Sequence, residues 1–190
     1  MKKIASILLL ILVFAGIGFA QKKESGITWT PTRFLTWDDF KGHPEMSMPF
    51  DAQTEAEIGT NYEKVSGDEM KFKILVNFDI KKSWVKKKAP TDKLLAHEQC
   101  HFDIFEIYGR LYMKKLLEAH VFEDKKFSEK AIKIFEKNFK DLGKFQEQYD
   151  KETDHSKNEE KQKEWSEKIK ALLAETEEYA SKEITFTPKH

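Results

Sequence analysis

The segment His97-Glu98-Gln99-Cys100-His101 places two imidazoles four residues apart, with a carboxylate beside the first. In an α-helix, residues four apart lie on one face, with their Cβ atoms about 5–6 Å from each other. Two imidazoles at that spacing can bind one Zn²⁺ at about 2.0–2.1 Å. Glu98 then faces the remaining coordination position and can take a proton from zinc-bound water. The motif therefore predicts a zinc-dependent hydrolase with His97 and His101 as ligands and Glu98 as general base.

A catalytic zinc ion usually has three protein ligands, which leaves a fourth position for water. No Gly and His follow His101 at the spacing of the longer HExxHxxGxxH motif, so the third ligand comes from outside this helix. The downstream alternatives are His120, His155 and several glutamates. His155 lies in a short polar loop just past a predicted helix end, where the chain can fold back over the site.

The HExxH motif lies in a segment with helical apolar spacing that extends from residue 92 to about residue 119. Thr91 or Asp92 can act as its N-cap. A second amphipathic helix is predicted from near Ser128 to Tyr149, and a last one over residues 165–180. The three helices make up most of the C-terminal half of the chain.

The clearest strand comes before these helices and shows the period-2 pattern of a half-buried strand. Its apolar members are Phe72, Ile74, Val76, Phe78 and Ile80. Gly67-Asp68 predicts a hairpin connection before it, and residues 52–62 alternate weakly enough to be a second strand. Strands followed by helices, without βαβ alternation, predict an α+β fold. We expect a small antiparallel or mixed sheet packed on the HExxH helix and on the C-terminal helices.

The N-terminus has the pattern of a secretory signal peptide. Lys2 and Lys3 precede an almost entirely apolar run that ends on Gly18-Phe19-Ala20. A membrane anchor is the alternative, but the run is shorter than the roughly 20 residues that span a bilayer. We expect residues 1–20 to be removed and residues 21–190 to form one domain. The protein is then exported, periplasmic or secreted, with no stable membrane span after cleavage.

Composition narrows the range of partners. The chain has 33 basic and 33 acidic side chains, and this balance argues against nucleic acid as a partner. Cys100 is the single cysteine, so an intrachain disulfide is excluded, and we interpret it as a packed small hydrophobic residue. Asp103 lies off the ligand face, where it is either solvated or orients another element.

Several longer stretches match a known bacterial pattern. They are residues 35–42 (LTWDDFKG), 50–54 (FDAQT), 83–85 (SWV), 94–104 (LLAHEQCHFDI) with Arg110, and 149–155 (YDKETDH). On these residues the chain resembles a family of bacterial predicted secreted zinc-dependent proteases, catalogued as a domain of unknown function. The resemblance implies a zincin-like metallopeptidase domain that acts on a peptide or protein substrate.

The closing motif of that family has the form YDxxTxHG. It implies His155 as the third zinc ligand and Tyr149 as a hydrogen-bond donor to the tetrahedral oxyanion. For Tyr149 the alternative is a core aromatic that closes the apolar stripe of its helix. Ser156 stands where the family usually has glycine, a departure at the loop that carries His155.

Three functions are consistent with these residues. The first is an exported zinc-dependent peptidase in which Glu98 activates water, and by analogy the strand at residues 71–80 is the sheet edge to which a substrate adds. The second is an exported non-catalytic module whose zinc is saturated by protein ligands. Zinc-dependent hydrolysis of a non-peptide bond is a third possibility.

Overall fold

A computed structural model describes residues 26–189, so the predicted signal peptide lies outside the described residues. The described chain has an α+β fold with a small antiparallel sheet, as the sequence predicts. The strands are β1 Gly26–Thr28, β2 Ala52–Gln53, β3 Ala56–Ser66, β4 Glu69–Asp79, β5 Trp84–Val85 and β6 Glu183–Phe186. The α-helices are α1 Asp92–Glu118, α2 Phe127–Thr153 and α3 Glu159–Glu175.

Strand β4 is the centre of the main sheet. It pairs with β3 along one edge, through the predicted hairpin at Gly67, and with both β1 and β6 on the other. Strands β2 and β5 form a separate two-stranded sheet. The prediction that residues 71–80 form the substrate-binding edge is therefore wrong, because neighbouring strands already use both edges of β4.

The sheet packs its apolar face onto α1. Phe72, Ile74, Val76 and Phe78 of β4 are buried, as their alternation predicts, while Ile80 falls in the turn that follows. Gly109 allows the close approach, since a Cβ there would lie 2.7 Å from Val76 Cγ2. Burial of this face is the main force that holds α1 against the sheet.

Helix α1 begins where the sequence predicts, and Thr91 is its N-cap, with Oγ1 accepting from the backbone N–H of Leu94. The opposite side of α1 from the sheet packs against α2. Contacts pair the start of α1 with the end of α2: His97 meets Asp150, and Tyr112 donates to the carbonyl of Ala131. The two helices are therefore antiparallel, and α3 packs against both.

The C-terminal segment differs from its prediction. The last helix ends at Glu175 rather than near residue 180, and a 3₁₀ turn leads from it to β6. Strand β6 has only four residues, too few for a clear alternation, and it forms because β4 offers it an edge. Across residues 26–189, no helix has the length and apolar character that crossing a bilayer requires.

Candidate metal centre

His97 and His101 lie one turn apart on α1, with their Nε2 atoms 3.1 Å from each other. Their rings are nearly perpendicular, at 89°, and the short distance between the Nε2 atoms lets both reach one ion. His97 is fully buried and His101 is partly buried. The structure thus brings together the two imidazoles that the HExxH spacing predicts as ligands.

Asp150 completes a compact group of three donors. Its Oδ1 atom lies 3.2 Å from His97 Nε2 and 3.0 Å from His101 Nε2. The donor atoms of the three residues all lie within 4.8 Å of one another, close enough to hold one metal ion. Two imidazoles and a carboxylate form a donor set that zinc accepts.

Asp150 is a site residue that the sequence reasoning missed. It stands in the YDKETDH stretch, between Tyr149 and His155, both of which are predicted site residues. Its position at the end of a predicted helix, five residues before His155, is the feature of the sequence that points to Asp150 as a site residue. Distance along the chain hides the contact, because Asp150 and His101 are 49 residues apart.

His155 lies in the loop after α2 and lines the same cleft. Its Nδ1 atom is 3.5 Å from Asp150 Oδ1, and its ring packs on Phe50 with centroids 5.4 Å apart. His155 is therefore next to the compact group, and its assignment as a ligand stays a prediction. His120, the other histidine alternative, lies past the far end of α1 and pairs with Glu123.

Glu98 faces the cleft beside the imidazoles and is 2% exposed. Its Oε2 atom is buried and has no hydrogen-bond partner among the residues that the structure describes. Buried polar atoms are almost always paired, so an unpaired carboxylate oxygen calls for an explanation. A bound cation with an accompanying water fits here. The cation supplies a positive charge beside the carboxylate, and the water donates a hydrogen bond to Oε2. The residues present therefore fit a metal ion.

Two glutamines set the orientation of the imidazoles. His97 Nδ1 lies 2.9 Å from Gln162 Oε1, and His101 Nδ1 lies 2.6 Å from Gln146 Oε1. An amide oxygen only accepts, so each Nδ1 carries the proton and donates it. In the neutral ring this leaves the Nε2 lone pair free for a metal, as outer-shell partners of ligating histidines commonly do.

Tyr149 lies beneath His97, fully buried, with the two rings stacked at 4.6 Å. Its hydroxyl donates to the His97 carbonyl at 3.2 Å and accepts a hydrogen bond from Gln162 Nε2 at 2.8 Å. This geometry agrees with the alternative of a core aromatic and gives the predicted oxyanion role no support. Tyr149 positions His97 through its ring and its hydrogen bonds.

The charges of this group are strongly coupled. Burial alone lowers the pKa of His101, but the charge and hydrogen bond of Asp150 outweigh burial and raise it to about 9. Burial alone raises the pKa of Asp150, but the three histidines, His101 foremost, hold it far below its usual range. The charge of Asp150 thus favours the protonated form of His101, and a metal ion at Nε2 would have to displace that proton.

Residues near the motif have structural contacts. Asp103 accepts hydrogen bonds from Trp29 Nε1 and Gln99 Nε2, both at 2.8 Å, so of its two alternatives the structure supports orientation of another element. Cys100 is buried beside Ser166, which agrees with its interpretation as a small packed residue.

His97, His101 and Asp150 line a cleft of about 370 Å³. One wall is the segment of residues 50–55, which includes β2, and the other is α2 from Phe139 to Asp150. Thr54 anchors the first wall by donating to the Glu98 carbonyl at 3.2 Å. The cleft is large enough to admit part of a peptide chain to Glu98.

No protein-family model, curated protein or solved structure matches the chain. The functional argument therefore depends on the geometry of the site and on the motif itself.

Proposed function

We propose that the chain is a zinc-dependent peptidase whose ion is held by His97, His101 and Asp150. The observation that carries the proposal is the unpaired, buried Oε2 of Glu98 beside three converging metal donors. Zinc, when bound, supplies Lewis-acid activation of water and polarises the substrate carbonyl. Besides a metal site, a hydrolase requires a general base and space for a substrate, and Glu98 and the cleft provide these.

The residues of the chain have separate tasks in this proposal. Glu98 accepts a proton from the attacking water and later donates it to the amine of the leaving peptide. Gln146 and Gln162 keep the ligand nitrogens in the right tautomer. Burial of Glu98 and His97 keeps bulk water away from the proton transfers, which strengthens electrostatic interactions within the site.

The wall at residues 50–55 supports a peptide as substrate. Lys86 N donates to Asp51 O, and Ala52 lies opposite Val85 in the antiparallel pair. This register makes Ala52 and Val85 a non-hydrogen-bonded pair, so the backbone groups of Ala52 point away from β5. An extended peptide can add to that side of β2 as a further strand.

A non-catalytic zinc module is the second candidate, and one observation favours it. His155 Nδ1 lies 3.5 Å from Asp150 Oδ1, next to the three donors of His97, His101 and Asp150, so a shift of its loop would add a fourth protein ligand. Four protein ligands saturate a structural zinc and leave no position for water. Glu98 argues against this candidate, since a saturated site has no use for a general base.

The first test is zinc content and hydrolysis of an unselected peptide mixture by the zinc-loaded protein and by Glu98→Gln. We expect one zinc per chain in both proteins, with hydrolysis at least about 100-fold slower in the variant, the range for loss of a general base. Glu118→Gln, at the exposed end of the same helix, is the matched control. Full activity in Glu98→Gln, or no zinc uptake by the wild type, overturns the proposal.

The second test compares Asp150→Asn with His155→Ala for zinc affinity. If the ligands are His97, His101 and Asp150, Asp150→Asn lowers zinc affinity by more than about 100-fold, and His155→Ala lowers it less, within the about 10- to 100-fold range of an outer-shell partner. Equal, large losses in both variants indicate four ligands and favour the non-catalytic module. A large loss in His155→Ala alone restores the ligand set implied by the resemblance.

A further inference from the structure

The cleft continues past His101 into an apolar region. Because α1 and α2 are antiparallel, residues further along α1 face residues earlier along α2. Phe105 is one turn beyond His101 on α1, and Gly143 is three residues before Gln146, which contacts His101. Both Phe105 and Gly143 line the cleft, about one helical turn, or 5.4 Å, from the metal group.

Most of the side chains that line this region are apolar, while the charged Lys140 and Glu147 line the cleft beside Gly143 at exposed positions of α2. Phe105, Phe139 and Leu142 line it with Gly143, and Phe105 and Leu142 are almost fully buried. Phe139 and Leu142 are three residues apart, so they lie on one face of α2. An apolar region that opens onto a polar site favours a ligand with an apolar group next to a polar one.

Gly143 is the feature that keeps this region open. It lies within the 27-residue helix α2, where glycine costs about 1 kcal/mol relative to alanine. Apart from its two neighbours and the backbone of its own helix, a Cβ at Gly143 would meet no atom of the described chain within 4 Å, so close packing does not require glycine here. The only effect of the missing side chain that the structure shows is additional space in the cleft.

We propose that Phe105, Phe139, Leu142 and Gly143 form a subsite for a bulky apolar side chain of a peptide substrate. The distance of one helical turn from His101 places that side chain on a residue next to the bond that is cleaved. The inference rests on the proposed peptidase for the identity of the ligand. The subsite makes the enzyme selective for leucine or phenylalanine over small or charged residues at that position.

Binding and cleavage of four blocked peptides test the proposal. The peptides differ at one residue, which is Leu, Phe, Ala or Glu, and binding is measured by calorimetry on the metal-free protein and on zinc-loaded Glu98→Ala. We expect the Leu and Phe peptides to bind at least about tenfold tighter than the others, as apolar pockets discriminate. Cleavage by the zinc-loaded wild type should occur beside the variable residue.

Gly143→Leu should abolish the preference for Leu and Phe, because the added side chain occupies the subsite. The substitution raises helix propensity and meets no atom at Cβ, so the variant should fold and bind zinc. Lys144→Leu adds the same side chain at the next, exposed position and should keep the wild-type preference.

The possible results test the subsite proposal and the peptidase proposal separately. Equal binding of the four peptides by the wild type, or an unchanged preference in Gly143→Leu, overturns the subsite. Selective binding that Gly143→Leu removes supports it even when no peptide is cleaved, in which case only the peptidase proposal fails.

Discussion

At the scale of single residues, hydrogen bonds to neighbouring side chains fix the orientation of both imidazoles of the site. Gln146 accepts the Nδ1 proton of His101 and donates from its own Nε2 to the His101 carbonyl at 3.1 Å. One side chain on α2 thus holds both the ring and the backbone of a ligand on α1. Gln162 and Tyr149 hold His97 in the same way.

Gln146→Leu should lower zinc affinity about 10- to 100-fold, because it removes the acceptor that fixes the His101 tautomer. Competition with a chelator of known affinity measures the change, and circular dichroism checks that the fold is kept. Gln146→Glu keeps an acceptor for Nδ1 and should retain affinity within about tenfold of the wild type. Equal losses in the two variants would show that Gln146 acts only through packing.

At the scale of elements, the end of α2 determines where Asp150 and His155 lie. The backbone leaves the helix through three successive residues with positive φ: Asp154 at 47°, His155 at 50° and Ser156 at 75°. Such angles favour glycine, and non-glycine residues adopt them at a cost. Glycine at position 156 would adopt this angle without that cost. The tight turn brings His155 back beside Asp150.

Ser156→Gly should therefore raise the free energy of unfolding by up to about 1 kcal/mol, as relief of left-handed strain outweighs the added freedom of the unfolded chain. Urea unfolding of the metal-free protein measures the difference. Ser156→Ala keeps the Cβ and its strain and should give no gain. A less stable Ser156→Gly would mean that the turn is not strained at this residue.

At the scale of the whole molecule, two opposite faces of α1 have different roles. One face carries the metal group towards α2, and the other carries a buried ionic cluster. In that cluster Glu106 Oε1 accepts from Arg110 Nε at 2.8 Å and from Lys182 Nζ at 2.7 Å. Arg110 also binds the carbonyl of Leu173 and the carboxylate of Glu177. The cluster therefore fastens the C-terminal segment to the back of the helix that carries the ligands.

Arg110→Met should lower the free energy of unfolding by about 3 kcal/mol, because Glu106 stays buried with one of its two cations removed. Thermal or urea unfolding measures the loss. Zinc affinity of the folded variant should stay within about threefold of the wild type, since the cluster and the ligands lie on different faces of α1. Lys114→Met, which removes a cation from a half-exposed position on the same helix, is the matched control.

Patterns of residues a few positions apart in the sequence were enough to predict several features of this protein. The positions of His97, Glu98 and His101 follow from helical periodicity, and their convergence needs only a helix over residues 92–118. The strand at β4 follows from strict alternation, and the α+β class follows from the order of the segments. These features depend on residues within a few positions of one another, which is the range that periodicity covers.

Only the tertiary structure decided which distant residues complete the site. Asp150 meets His101 across 49 residues because α2 packs antiparallel on α1, and the register of that packing depends on side-chain fit rather than on a repeat. The same packing buries Tyr149 under His97, and the pairing of β1 and β6 with β4 places that strand at the centre of the sheet. Contacts between distant segments leave no periodic pattern along the chain, so they are determined only when the elements pack.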